Sequence, residues 1–198
     1  MSLVQKPAPL FDTEAVHADG ETKPLSLASF KGKKYVALFF YPADFTFVCP
    51  TELLAFSNHI AEFEKRDVQV IGCSVDNNHS HRAWRNTKIE DGGIGAVKYP
   101  LVGDITKSIA SSYGVLLDNG LALRGTFLID KQGIVRQETV NDLPLGRSIE
   151  ETLRLVDALQ YTEKHGEVCP AGWSTGKSAM KADPKGVASY LKENASKL

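Results

Sequence analysis

Tyr41-Pro42-Ala43-Asp44-Phe45-Thr46-Phe47-Val48-Cys49-Pro50-Thr51-Glu52 is the stretch on which the fold turns. Before it, Val36-Ala37-Leu38-Phe39-Phe40 is an unbroken apolar run with the length of a buried strand. After it, Leu53, Phe56, Ile60 and Phe63 recur at the spacing of one helix face. Cys49 therefore falls at a strand-to-helix junction, in or just before the first helical turn. Pro50 agrees, because a proline at the opening of a helix forfeits no hydrogen bond. First-turn amides have no partner inside the helix and carry the positive end of its dipole. A thiol in that place is pushed toward thiolate. A single cysteine is more often a small buried hydrophobe. Three features argue otherwise here: the place at a helix start, the Thr46 hydroxyl three residues upstream, and the prolines Pro42 and Pro50, which stiffen the turn. Cys49 reads as a reactive thiol.

A chain of 198 residues suits one domain with an appended tail. With 42% hydrophobic and 24% charged residues, the composition is that of an ordinary globular protein. A formal net charge of −1 gives no reason to expect nucleic acid or an anionic membrane as a partner. Met1 to Pro9 has no signal-peptide core, and the longest apolar run, Tyr35 to Tyr41, is far short of a membrane span. A cytoplasmic location is expected. The three cysteines, Cys49, Cys73 and Cys169, are odd in number and widely spaced, unlike a secreted disulfide framework or a structural zinc site. Cys73 sits inside an apolar run and reads as a packed core thiol. His79 and His81, two apart at a helix entry with no acidic residue patterned beside them, read as solvated rather than metal-binding. No metal or organic cofactor is called for.

Along the chain, Gln5 to Lys23 reads as a small hairpin or edge structure, and Leu25 to Phe30 as a brief helical turn feeding the first core strand. Gln69 to Val75 is a second strand, and Ala83-Trp84-Arg85 belongs to a short helix in which Trp84 forms an apolar wall. Asp91-Gly92-Gly93-Ile94-Gly95 is a loop. Ile105 to Tyr113 reads as a helix closed by Gly114. Thr126–Ile129 and Ile134–Val140 flank Asp130-Lys131-Gln132-Gly133 as a hairpin, and Ser148 with Glu151 has the spacing of a capping box. Strands mixed with helices and a late hairpin argue for an α/β class with a mixed sheet. From Lys164 the chain becomes turn-rich and polar, with a short helix from Gly186 to Asn194. The division expected is a domain over 1–163 and a tail over 164–198 carrying Cys169.

Pro42-x-x-x-Thr46-x-x-Cys49 resembles the active-site signature of peroxiredoxins, and Phe45 to Glu52 resembles the typical 2-Cys subgroup, which includes the C subunit of alkyl hydroperoxide reductase. Val168-Cys169-Pro170-Ala171-Gly172-Trp173 resembles that subgroup's resolving-cysteine motif. The resemblance implies a thioredoxin-like fold and reduction of hydrogen peroxide and alkyl hydroperoxides. The sequence leaves open whether Cys49, as a sulfenic acid, pairs with Cys169 within one chain or between two; the resemblance implies a disulfide between subunits of an antiparallel homodimer, and a decamer of such dimers. It nominates Arg124, in Ala122-Leu123-Arg124-Gly125-Thr126-Phe127, as the cation at the site, with Glu52 holding that arginine. Thioredoxin, or a dedicated flavoprotein reductase, would recycle the disulfide. The family's peroxide-sensitive form has Leu in the glycine loop and Phe after the tail tyrosine. This chain has Ile94 and Leu191, which implies an intermediate sensitivity to overoxidation.

Ionisation alone does not supply a peroxidase rate. An ordinary thiol with pKa ~8.5 is about 3% ionised at pH 7, and lowering the pKa by about two units gives roughly 25 times more thiolate. Intrinsic nucleophilicity then falls about 6- to 10-fold, so the net gain is only about threefold. What remains is stabilisation of charge across the breaking O–O bond by donors fixed in advance: the Cys49 amide region, Thr46 and a planar, permanently charged arginine. Other classes stay open at this point. A peroxide-switched holdase chaperone or redox-signalling adaptor would use the same thiol without turnover. A cysteine hydrolase lacks a histidine placed by motif beside Cys49.

Overall fold

The computed structural model describes residues 2–198, which divide into two compact units, one ending at Ile149 and the other Glu150–Leu198. In the first, seven strands form one mixed sheet: β1 (Asp12–Val16), β2 (Thr22–Ser26), β3 (Tyr35–Phe40), β4 (Val68–Ser74), β5 (Leu101–Gly103), β6 (Arg124–Ile129) and β7 (Val135–Asn141). Their spatial order is β2-β1-β5-β4-β3-β6-β7. The central β3, β4 and β5 run parallel, while β6 is antiparallel to β3 and β7, and β1 to β2 and β5. The helices are α1 (Cys49–Asn58), α2 (Ile60–Lys65), α3 (Asn78–Asn86) and the single turn α4 (Ser108–Ser112).

β3 is buried at every position, as its unbroken apolar run requires, and its alternate side chains serve two cores. Phe39 points to the α1 side, stacking on Phe56 at 4.2 Å and meeting Tyr99 edge-on at 5.7 Å. Burying an aromatic side chain of this size contributes about 1.5–3 kcal/mol. Phe40 points to the other face, against Tyr113 just beyond α4 and against Phe127 of β6. Cys73, level with Phe40 in the parallel register, lies in that second core with Leu38, Val102 and Phe127. Burial, and then the nearby Asp104 charge, push its thiol pKa well up, as befits a packing residue.

Leu53, Phe56, Ile60 and Phe63 are all buried, so the predicted helical face is real, although the helix breaks at His59 into α1 and α2. The helix expected over Ile105–Tyr113 is shorter. Asp104 accepts the amides of Ile109 and Ala110, and Lys107 takes a left-handed φ of 62°, so regular turns begin only at Ser108. The glycine loop is a loop for a steric reason too. A Cβ on Gly93 would lie 2.0 Å from the Thr87 carbonyl oxygen.

In the second unit, α5 (Ile149–His165) continues from the boundary and α6 (Pro184–Asn194) follows, capped by the Asp183 side chain on the Gly186 amide. Tyr161 lies against Trp173 at 4.8 Å, and Arg154 donates to the Trp173 carbonyl at 2.7 Å. Val168 exchanges backbone hydrogen bonds with Met180 at 2.9 and 3.1 Å, which fixes the strand-like piece carrying Cys169. None of the described helices is long and apolar enough to cross a membrane.

Candidate active site

Antiparallel pairing assembles the site. In the β3/β6 register Phe39 faces Thr126, so Arg124, two residues earlier on β6, lies level with the C-terminal end of β3. Alternation puts Arg124 and Thr126 on the Phe39 side of the sheet, the side that α1 covers. Cys49 opens α1 with Pro50 in its first turn, as the sequence predicts. The strand-to-helix corner and the start of β6 therefore converge on one sulfur.

Cys49 is fully buried. Two donors reach its Sγ: the Thr46 hydroxyl at 2.8 Å and Arg124 Nη1 at 3.3 Å. Thr46 Oγ1 also lies 2.9 Å from the Ala43 carbonyl, and its single hydrogen can serve only one acceptor at a time. Arg124 is itself held on three sides. Nε donates to the Leu143 carbonyl at 2.7 Å, and Nη1 donates to Glu52 Oε2 at 2.7 Å as well as to Sγ. Pro42 is buried at the head of the corner, where its ring fixes φ.

The sequence did not single out Arg147. Its guanidinium forks onto Glu52, Nε to Oε1 at 2.8 Å and Nη2 to Oε2 at 2.9 Å, while its own amide donates to Oε1 at 2.9 Å. Nη1 donates to the carbonyls of Phe40 and Gly125, both at 2.8 Å, and the plane lies over the Phe39 ring. Glu52 is thus a buried acceptor shared by two arginines. Its neighbour Gly146 and the turn around it carry no motif, so the only signal was a charged residue just before the α5 capping box.

Burial by itself would raise the Glu52 carboxyl. The hydrogen bonds and charge of Arg147, with the charge of Arg124, outweigh it and hold the group below the usual carboxylate range. A carboxyl depressed on folding stabilises the fold above its unfolded pKa of about 4.3, and that contribution is lost as pH falls through the lower folded value. Glu52→Gln should therefore flatten the acid limb of the stability profile below about pH 4.3 relative to the parent. Urea unfolding at a series of pH values measures this, and parallel acid limbs in the two proteins would contradict it.

One sequence expectation about a polar group changed. His81 is not solvated: it is fully buried with Nδ1 2.8 Å from Asp44 Oδ2, an acidic partner 37 residues away that no local pattern reveals. Trp84 is the expected apolar wall, buried 5.7 Å from the Phe45 ring, and it also donates to the Gly92 carbonyl at 2.9 Å. Cys169 is half-buried in the second unit, with Sγ 3.6 Å from the Ala158 carbonyl and 3.7 Å from Thr162 Oγ1.

A buried thiol at the N-terminus of a helix, on a mixed sheet and against a guanidinium, defines a thiol-based redox enzyme of thioredoxin-like fold. Comparison with known proteins gives the particular family. Residues 4–138 match the AhpC/TSA family, and residues 158–193 match the C-terminal domain of 1-Cys peroxiredoxin. Alkyl hydroperoxide reductase C of Helicobacter pylori is 53% identical over 99% of this chain and 100% of its own. Peroxiredoxin-1 of Gallus gallus is 54% identical over 92% of each chain. The reduced crystal structure of Plasmodium vivax 2-Cys peroxiredoxin superposes with a TM-score of 0.96 at 49% identity, covering 97% of this chain and 100% of that one. The chain belongs to the AhpC/TSA family and is a thiol-dependent peroxidase of the peroxiredoxin type.

Proposed function

We propose that this peroxidase reduces hydrogen peroxide and alkyl hydroperoxides at Cys49 and completes its cycle through Cys169. The observation that carries the reading is Arg124 Nη1 at 3.3 Å from the Cys49 sulfur. The charge count supports it. Two buried guanidiniums, Arg124 and Arg147, face one carboxylate, Glu52, so the site holds an excess of positive charge that suits an anion.

In this reading the thiolate attacks one peroxide oxygen as the O–O bond breaks. Thr46 and Arg124 meet the charge as it passes to the leaving oxygen, which takes up a proton and departs as water or an alcohol. Cys49 is left as the sulfenic acid. The Cys169 thiol of a second copy condenses with it, releasing water and forming the disulfide. Disulfide geometry is strict, and Cys49 starts fully buried, so the first turn of α1 unwinds during this step. Glu52 and Pro42 act indirectly, the first by fixing Arg124 and the second by stiffening the corner. Residues 164–198 act as the tail that presents Cys169. Thioredoxin returns both thiols by dithiol–disulfide exchange, a homodimer assembling to a decamer is the working form, and the setting is the cytoplasm.

Reduced protein mixed with peroxide, thioredoxin, its reductase and NADPH tests this. Steady NADPH consumption with a Cys49–Cys169 peptide in the non-reduced digest is expected. Consumption of one peroxide equivalent per chain and no further turnover would instead point to a peroxide-driven switch. Turnover only with a flavoprotein disulfide reductase would replace thioredoxin as the electron donor.

A further inference from the structure

The corner between β3 and α1 is gripped at one end and open at the other. At the gripped end the Tyr41 amide donates to the Cys73 carbonyl at 3.0 Å and the Tyr41 hydroxyl donates to Asp44 Oδ1 at 2.8 Å. The Asp44 amide donates to Asp76 Oδ2 at 2.8 Å, an oxygen that also accepts the Ser74 hydroxyl at 2.6 Å. His81 of α3 completes the grip at Asp44 Oδ2, and the two side chains are 0% and 1% exposed. One residue later the grip ends. Phe45 adopts a left-handed φ of 53° and is half-exposed, and Phe47 is almost wholly exposed. Thr46 belongs to this open part, but its hydroxyl is referenced to the Ala43 carbonyl, next to Asp44.

The chemistry of the pair fixes its direction. With Tyr41 donating to one carboxylate oxygen, the other accepts the Nδ1 hydrogen of His81, and Nε2 takes no part in the contact. Nε2 is buried and has no hydrogen-bond partner among the described residues. A buried imidazole with half of its hydrogen-bonding capacity unused is a poor device for stability alone, since an apolar side chain of similar volume would avoid that penalty. What the imidazole supplies that an apolar group cannot is a directed bond to Asp44 from a separate helix.

We propose that His81 and Asp44 are positioning residues for the peroxide reaction. Through them α3 sets the height of the 41–46 segment, and so the aim of the Thr46 hydroxyl at Cys49 Sγ. Phe45 is then the point at which the moving part of the corner begins. Neither residue touches Sγ; each acts through Thr46. The inference rests on the reading of Cys49 as the peroxide-reactive thiol with Thr46 as its donor.

Stopped-flow oxidation of the reduced full-length protein by hydrogen peroxide, in parent, His81→Leu, His81→Asn and His81→Phe forms, tests it. A side-chain amide in the asparagine variant can place a donor near the Nδ1 position. His81→Leu should oxidise about tenfold more slowly, because sub-ångström misplacement of a donor has costs of this order. His81→Asn should recover to within about twofold of the parent. Disulfide formation after oxidation should proceed at the parental rate in all of them. Equal slowing in the leucine and asparagine variants, or no slowing in the leucine variant, overturns the proposal. Should His81→Leu fail to fold, His81→Phe decides: it keeps a ring of similar size but has no donor for Asp44, so slowed oxidation supports the proposal and a parental rate overturns it. A parent protein inert to peroxide would sink the peroxidase reading itself, which no variant ratio can do.

Discussion

Arg124→Leu should lower the second-order rate constant for oxidation of Cys49 by hydrogen peroxide about 10²–10³-fold, the usual cost of deleting one fixed donor to a developing oxyanion. The variant is chosen because it should still fold. Glu52 loses Arg124 Nη1 but keeps the fork and the backbone amide of Arg147, so no carboxylate is stranded. Arg124→Lys separates charge from shape. An ammonium can replace the charge, yet it cannot donate to the Leu143 carbonyl, Glu52 and Sγ from one rigid plane. It should recover only part of the loss, remaining about tenfold below the parent. Stopped-flow oxidation of the reduced proteins decides the matter. A lysine variant as fast as the parent would show that the fork contributes nothing, and a leucine variant as fast would remove Arg124 from the mechanism.

Arg147→Ala should have the largest effect on folding, about 3–5 kcal/mol, as expected when one member of a buried ion pair is removed and its partner remains. The loss is compound. Two donors leave Glu52, and the carbonyls of Phe40 and Gly125 lose theirs at the junction of β3, β6 and the α5 entry. Against a typical total of about 5–15 kcal/mol, that is enough to leave the domain marginal. Adding Glu52→Gln to Arg147→Ala should cost less than the sum of the single changes, because the neutral amide no longer suffers from the missing cation. Urea denaturation of the four proteins measures both quantities. A single-variant loss under about 1 kcal/mol, or strict additivity, would mean that Arg147 is not the keystone its contacts imply.

What could be read from the chain divides along physical lines. The β3 run, the α1 face of Leu53, Phe56, Ile60 and Phe63, and the Cys49 helix start were legible because periodicity and a proline at a helix opening are local signals. The β6–β7 hairpin was legible from its turn residues. Arg124 came from resemblance, and the fold explains why nothing local could find it. Its place at the sulfur is a consequence of antiparallel register across 75 residues. Arg147 and the Asp44–His81 pair were missed for the same reason. A charged residue in a turn and a histidine at a helix entry are ordinarily solvated, and only the way β3, β6 and α3 pack makes these two buried. The α4 boundary failed differently: the apolar spacing was right, but the Asp104 side chain captured the amides that would have continued the helix.

Thr46 stands between a carbonyl and a sulfur with one hydrogen to give. While the sulfur keeps its own hydrogen, that hydrogen can point to the Thr46 oxygen and the hydroxyl to Ala43. Once the sulfur is bare, the rotor must swing round to it and the carbonyl goes without. The Thr46 hydroxyl is thus a two-position rotor whose setting follows whether the sulfur carries its hydrogen.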